Sequence, residues 1–279
     1  MSTTVAISAA DVNKLRQQTG AGMMDCKKAL TEANGDFEAA IDILRKKGQK
    51  IAANRQDREA KEGYVFGKLT ADAKKGFVVA VCCETDFVAK NADFIKYGES
   101  ILDLAVANQP ATIEDLKALK LGAQTVAETL VDQMGKIGEK IDVVDFQFTA
   151  GETVVVYNHP GNKLTSIIAV DKASSELAHA AKEIAMQAAA MAPVAIDKED
   201  VDQKLIDREM EIAKEQIRQE GKPENMIEKI AAGKINKFYQ EYTLLNQAFI
   251  KDDKKTVRQY LESVDKTAKI VGMKRVKLG

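Results

Sequence analysis

The sequence lacks tryptophan altogether, and aromatic residues make up only 5% of its 279 positions. Proteins that bind single-stranded nucleic acid without sequence preference stack bases on aromatic side chains, so this scarcity argues against such a surface. Positive charge is not in excess either, because the formal net charge is −1. A nearly neutral chain disfavours nucleic acid as the main partner, although a chain with this net charge can still carry local basic patches.

Cysteine and histidine are also scarce. The cysteines are Cys26, Cys82 and Cys83, and the histidines are His159 and His179. An odd number of cysteines, two of them adjacent, is not a disulfide framework and predicts a reduced, cytoplasmic protein. None of these residues has the spacing of metal ligands, so we expect no metal site.

Long apolar runs and known catalytic motifs are absent as well. No run approaches the roughly 18 apolar residues of a membrane-spanning helix, and the first residues lack the apolar centre of a secretory leader. The phosphate-loop, dinucleotide-binding, zinc-protease and nucleophile-elbow motifs do not occur. These absences predict a binding protein without a cofactor, not an enzyme, and no membrane partner.

The N-terminal part of the chain predicts a small helical domain. Apolar residues at helical spacing indicate three short helices within residues 8–47, and Asn34-Gly35 ends the second of them. We expect residues 1–50 to form a three-helix domain that resembles ubiquitin-associated domains. The charge-rich residues 51–62 predict a solvated helical linker.

The middle of the chain predicts a duplicated core. Residues 63–110 and 152–193 each read as two alternating strands followed by a helix that ends in proline. A further alternating strand, residues 143–150, would complete the first copy. We therefore expect one core subdomain over residues 63–150 and a second over residues 151–195.

The C-terminal part predicts a helical hairpin and a closing module. Residues 196–246 carry long helical patterns broken at Gly221-Lys222-Pro223, which indicates an antiparallel helical hairpin, or coiled coil. Residues 247–279 contain a short helix and a late strand that would complete the second subdomain. The fold class is therefore α+β.

The two copies differ at one junction. Residues 82–93, which join strand to helix in the first copy, are six longer than residues 171–176 in the second. The longer segment reads CCETDFVAKNAD and carries Phe87 among polar neighbours. Phe87 either folds back into its own core or is an aromatic anchor for a partner. Asp86 is correspondingly either a loop cap or a charge directed at that partner.

Two adjacent methionines raise a similar choice. Met23 and Met24 cannot both be buried well on one face of a helix, so one of them should be partly exposed. Unbranched methionine suits an adaptable interface, and core filling is the alternative use.

Two separated motifs carry a family resemblance. TGAGMMDCKKALTEANGD (19–36) and TDFVAKN (85–91) resemble bacterial elongation factor Ts, and the resemblance extends over the chain in order. It implies a guanine-nucleotide exchange factor for elongation factor Tu, both GDP-bound and nucleotide-free, with no cofactor. It also leaves open a homodimer within a two-to-two complex. Cys82 and Ala248 depart from the residues common in the family, asparagine and proline.

The resemblance also implies which residues touch elongation factor Tu. The Asp-Phe pair, Asp86 and Phe87, would enter between two helices near the magnesium site of the nucleotide. The other implied contacts are Thr85, Val88, Arg16, Met23, Met24, Lys27, Ile137, Gly138, His159 and Ile250.

Two other functions are compatible with parts of the sequence. The three-helix domain alone would suit a helical adaptor that merely binds proteins. Basic residues in 45–61 and 269–277 would suit an RNA-binding protein. Neither alternative needs an Asp-Phe pair on a six-residue extension, so we favour the exchange factor.

Overall fold

The computed structural model describes residues 6–55 and 57–279, and residues 1–5 of the predicted N-terminal domain and residue 56 of the predicted linker lie outside them. The chain divides into two compact units. The first comprises Met1–Phe66, Val79–Phe146 and Leu278–Gly279, and the second comprises Gly67–Val78 and Gln147–Lys277.

Helices account for most of the described structure. In chain order they are α1 (Ala9–Thr19), α2 (Met23–Glu32), α3 (Phe37–Arg55), α4 (Asp86–Ala89), α5 (Ala92–Asn108), α6 (Ile113–Ala118), α7 (Val126–Ile137), α8 (Ser175–Met191), α9 (Gln203–Gln219), α10 (Glu224–Tyr242) and α11 (Val257–Val264).

The strands form two three-stranded sheets and two short pairs. They are β1 (Glu62–Leu69), β2 (Lys75–Cys83), β3 (Lys120–Leu121), β4 (Gln124–Thr125), β5 (Asp142–Ala150), β6 (Thr153–Asn158), β7 (Leu164–Val170), β8 (Ala248–Phe249), β9 (Asp252–Thr256) and β10 (Ile270–Lys277). Helices together with antiparallel strands confirm the predicted α+β class.

The three N-terminal helices pack around a small core of their own. The Ser8 hydroxyl caps α1, and Gly20 ends it in the left-handed conformation at φ 68°. The core side chains are Val12, Leu15, Cys26, Ala29, Leu30 and Ala40. Helix α3 runs on to Arg55, so it crosses residue 50, where we placed the domain boundary. It then packs along α7 in the same unit.

The second sheet is built as the sequence predicts. Strand β7 lies between β6 and β10, and both pairings are antiparallel. Val170, for example, pairs with Thr153 on one side and with Ile270 on the other. The late strand therefore completes the second subdomain. In the first sheet, β2 lies between β1 and β5, so the strand order repeats.

The helices that follow the two hairpins also match. Helices α5 and α8 both have 17 residues, and each begins after a side-chain cap, from Asn91 or Ser174. Each also ends at a left-handed residue other than glycine. Gln109 has φ 50° and Ala192 has φ 47°, and a proline follows each. The same order of elements with the same helix ends supports an internal duplication.

The helical hairpin and the C-terminal module belong to the second unit. Helices α9 and α10 pack through Ala213, Ile217, Ile227 and Ala231, and Gly221 turns between them at φ 69°. Helix α11 packs against α8 in the core of the module. Among residues 6–55 and 57–279, no helix has both the length and the apolar character needed to span a membrane.

Candidate functional site

The TDFV segment is a single helical turn within the longer junction between strand and helix. Thr85 caps α4, because its hydroxyl oxygen accepts a hydrogen bond from the Val88 N–H at 3.4 Å. Asn91 ends the segment by capping α5, and its side-chain oxygen accepts from the Asp93 N–H at 2.8 Å. Thr85 therefore begins the one-turn helix α4, and Asn91, six positions later, begins α5.

Phe87 points away from the protein on this turn. Its side chain is 82% exposed, which is the highest exposure among the large apolar residues of the described chain. Val88 is half-buried and Ala89 is buried, so the turn rests on those two residues. Phe87 therefore does not fold back into its own core, and of the two interpretations of Phe87 the exposed aromatic anchor remains.

Asp86 is paired on the surface beside Phe87. Its carboxylate lies 2.6 Å from the Lys90 ammonium, one helical turn along. The hydrogen bond from Lys90, with its charge, lowers the pKa of Asp86 below its ordinary value. Asp86 is therefore an ionised, accessible carboxylate next to an exposed aromatic ring.

Glu139 binds the beginning of this turn. One carboxylate oxygen of Glu139 accepts hydrogen bonds from the backbone N–H groups of Glu84, at 3.1 Å, and Thr85, at 3.0 Å. The other oxygen accepts from the Thr85 hydroxyl at 2.6 Å. One side chain thereby satisfies three donors at the N-terminal end of α4.

Glu84 makes the reverse connection. Its carboxylate accepts a hydrogen bond from the Lys140 N–H at 2.6 Å and pairs with the Arg55 and Arg58 guanidiniums. Burial acts to raise the pKa of Glu84, but these hydrogen bonds outweigh it and lower that pKa. Segments 84–85 and 139–140 therefore bind each other through two reciprocal carboxylates, and α3 joins them through Arg55.

The end of α7 brings Ile137 and Gly138 to the same place. Gly138 ends the helix at φ 79°, a left-handed conformation that favours glycine. Ile137 is half-buried at the last helical position, directly before Gly138 and Glu139. These two predicted contact residues thus lie on the segment that binds the Asp86–Phe87 turn.

The N-terminal predicted residues lie in the same unit. Arg16, Met23, Met24 and Lys27 are all exposed. Met23 is 49% exposed and Met24 is 63% exposed, so the structure exposes both methionines where we expected at least one to be partly exposed. The reason is that α2 buries Cys26, Ala29 and Leu30 instead, which leaves both methionines at its exposed first turn.

Two predicted residues lie in the other unit. His159 is exposed in the turn after β6, where its ring is 3.1 Å from the Tyr157 hydroxyl. Ile250 is 47% exposed between β8 and β9. The structure therefore groups ten of the twelve predicted residues in the first unit and leaves His159 and Ile250 in the second.

The cysteines are structural within the described chain. Cys26, Cys82 and Cys83 are buried free thiols. Burial, reinforced by the nearby Glu139 charge, raises the pKa of Cys83 to about 12. A thiol with so high a pKa stays protonated, so Cys83 has little thiolate character near neutral pH.

Sequence reasoning missed Glu84, Glu139 and Arg55. Glu84 and Glu139 directly adjoin the residues Thr85 and Gly138 that were singled out, and Arg55 lies within a basic stretch, but no local pattern shows that residues 84 and 139 meet. The signal that was available is the KIGEKI segment (136–141), in which a glutamate directly follows the helix-ending Gly138.

Comparison with known proteins places the chain among the translation elongation factors. A family model described as "Elongation factor TS" matches residues 84–279. The elongation factor Ts of Cytophaga hutchinsonii is 53% identical over 274 residues, which span 98% of this chain and 99% of that protein. That of Amoebophilus asiaticus is 51% identical over 276 residues, spanning 99% and 100% of the two chains. That of Porphyromonas gingivalis is 49% identical over 277 residues, spanning 98% and 99%.

The chain belongs to the elongation factor Ts family. Membership makes it a translation elongation factor that acts in guanine-nucleotide exchange, and its partner is elongation factor Tu.

Proposed function

We propose that this protein releases GDP from elongation factor Tu by inserting the Asp86–Phe87 turn near the nucleotide and its magnesium ion. Phe87 carries the proposal, because a ring that is 82% exposed on a fixed helical turn is costly to keep in water. Buried aromatic anchors dominate the binding energy of many protein interfaces. A partner pocket that covers this ring is the use that best accounts for its position.

The proposed mechanism is differential binding. In GTPases, Mg²⁺ bridges the nucleotide phosphates to the protein and holds the switch elements. A wedge that displaces helices around that site weakens cation coordination and loosens the phosphates. GDP and the exchange factor then disfavour each other, and the coupling is reciprocal, so GDP weakens binding of the factor by the same ratio.

Asp86 and Phe87 have separate roles in this proposal. Phe87 supplies apolar contact area, whereas the ionised Asp86 acts through its charge close to the magnesium site. Asp86→Asn should therefore change exchange more than it changes docking. No bond is made or broken by the protein, so we place it among binding proteins and not among enzymes.

Further contacts would extend the interface beyond the turn. The proposed residues flanking Phe87 are Thr85 and Val88, and those at the end of α7 are Ile137 and Gly138. The proposed residues on the N-terminal helices are Arg16, Met23, Met24 and Lys27, and those on the second unit are His159 and Ile250. We propose a cytoplasmic protein that binds both GDP-bound and nucleotide-free elongation factor Tu. Measuring the mass of the complex would test a two-to-two assembly.

The deciding experiment truncates the exposed ring. Phe87→Ala should leave the melting temperature near that of the parent protein, because a buried Phe→Ala costs about 3–5 kcal/mol but an exposed one removes no core contact. Stopped-flow release of labelled GDP should slow strongly. Affinity for nucleotide-free elongation factor Tu should fall by about 2–4 kcal/mol if Phe87 is a hot spot.

Ile212→Ala is a suitable control for that experiment. Ile212 is 40% exposed on α9, so its truncation also removes exposed apolar surface but lies outside the proposed site. It should leave exchange unchanged. Normal GDP release by Phe87→Ala, with or without a lower melting temperature, would overturn the proposed function.

A further inference from the structure

We propose that Glu139 is a positioning residue for Phe87, which it orients through the cap of α4 without touching the partner. This inference rests on the proposed function, because it assigns Glu139 a role in exchange that is exerted only through the Asp86–Phe87 turn.

The first observation is how little else can orient so short a helix. Helix α4 has four residues, and a single turn is unstable alone because helix nucleation fixes several dihedral angles for one hydrogen bond. The direction of Phe87 therefore depends on the groups that bind the ends of the turn, in addition to the packing of Val88 and Ala89 beneath it. Glu139 binds the first end through the N–H groups of Glu84 and Thr85 and through the Thr85 hydroxyl.

The second observation concerns the Thr85 hydroxyl. Its proton is donated to Glu139 at 2.6 Å, and its oxygen accepts the Val88 N–H at 3.4 Å. Because the proton points at Glu139, the lone pairs of the same oxygen point in other directions, and one of them accepts the Val88 N–H. Glu139 thus sets the orientation of the cap, and the cap sets the residues on either side of Phe87.

The third observation is that Glu139 is itself rigidly placed. It follows Gly138, which ends α7, and the next backbone N–H, that of Lys140, donates to Glu84 at 2.6 Å. The Lys140 ammonium also donates to the Arg58 carbonyl at 3.0 Å. The position of α7 is therefore transmitted to the Phe87 turn through two backbone segments that bind each other.

A double-mutant cycle separates positioning from general stabilisation. GDP release from elongation factor Tu would be measured for the parent protein, Glu139→Ala, Phe87→Ala and the double variant, each with a thermal melt. Removing a charged acceptor of three hydrogen bonds should slow release by about tenfold or more. If Glu139 acts through Phe87, the double variant should be no slower than Phe87→Ala alone.

Two further variants control for loss of structure. Glu139→Gln keeps an oxygen that can accept both N–H groups, so it should restore most of the exchange rate. Glu128→Ala removes a carboxylate that accepts from the N–H and hydroxyl of Thr125 at the opposite end of α7. It should lower the melting temperature without changing exchange.

The possible outcomes distinguish the two proposals. Three outcomes would overturn the role of Glu139 and leave that of Phe87 intact. They are normal GDP release by Glu139→Ala, no recovery of the release rate by Glu139→Gln, and a double variant whose release is slowed by the product of the two single-variant factors. Slow release by Glu128→Ala would also overturn the role of Glu139, because any damage to α7 would then suffice. Normal release by Phe87→Ala would instead overturn the proposed function, whatever Glu139→Ala does.

Discussion

Gly48 on α3 and Gly135 on α7 face each other at a helix crossing that has no room for a side chain on Gly135. A Cβ atom added to Gly135 would lie 2.9 Å from the Gly48 Cα. Gly135→Ala should therefore separate the two helices and destabilise the protein by about 1–3 kcal/mol, as overpacking does. Chemical denaturation of the variant and the parent protein measures this change.

Gly233→Ala is the matched control for that prediction. Gly233 lies inside α10, and a Cβ atom there would meet nothing within 4 Å. Because glycine is unfavourable in a helix interior, this change should stabilise the protein by about 0.5–1 kcal/mol. If Gly135→Ala stabilised the protein as Gly233→Ala is expected to, the tight crossing of α3 and α7 would be contradicted.

The exposed methionines give a second prediction. Met23→Ala combined with Met24→Ala should weaken binding to elongation factor Tu by about 1–3 kcal/mol, because truncation removes adaptable apolar contact area. The melting temperature should stay close to that of the parent, since both side chains are exposed. Isothermal titration calorimetry with nucleotide-free elongation factor Tu measures the affinity.

Met226→Ala provides the comparison, because Met226 is 45% exposed on α10, outside the proposed interface. Its affinity should equal that of the parent. An unchanged affinity for the Met23 and Met24 double variant would remove α2 from the interface.

Acidification should expose the contribution of Glu84. Its pKa is lowered in the folded protein, so the stability that it contributes is complete above the ordinary value of 4.5 and is lost as the pH falls through the lower folded value. Glu84→Gln should therefore be less stable than the parent at about pH 7. The difference in the free energy of unfolding between the two proteins should be smaller at about pH 3.5. Urea unfolding at both pH values measures it, and a difference that does not change with pH would argue against an ionised Glu84 in this cluster.

Local patterns were sufficient to predict most of the fold. The three N-terminal helices, the two hairpins, the helical hairpin and the late strand all have either regular apolar spacing or a strong stop signal such as Asn34-Gly35. Helix α7 was not predicted individually, although Thr125 and Glu128 form a capping box at its start. That box lies within a stretch that we treated only as part of the first subdomain.

The candidate site was predicted only in part, because it includes contacts between residues that are far apart in the sequence. The polar neighbours of Phe87 and the extra length of segment 82–93 indicated its exposure as one of two alternatives, and the structure decides between them. The first end of the helical turn is bound by Glu139, which is 54 positions from Thr85. A bond between side chain and backbone at such a separation leaves no periodic trace in the sequence, and only the folded arrangement reveals it.

The carboxylates of Glu84 and Glu139, each bound to the other's segment, also limit how the Asp86–Phe87 turn could be transplanted. A graft of residues 84–91 onto another scaffold would bring Glu84 but leave behind Glu139 and the Lys140 N–H, so the Glu84 and Thr85 donors would lack their acceptor. The smallest transferable unit is therefore discontinuous and includes residues 138–140 along with the turn. An engineered inhibitor of elongation factor Tu based on this turn would need both pieces, or a covalent brace in place of the second.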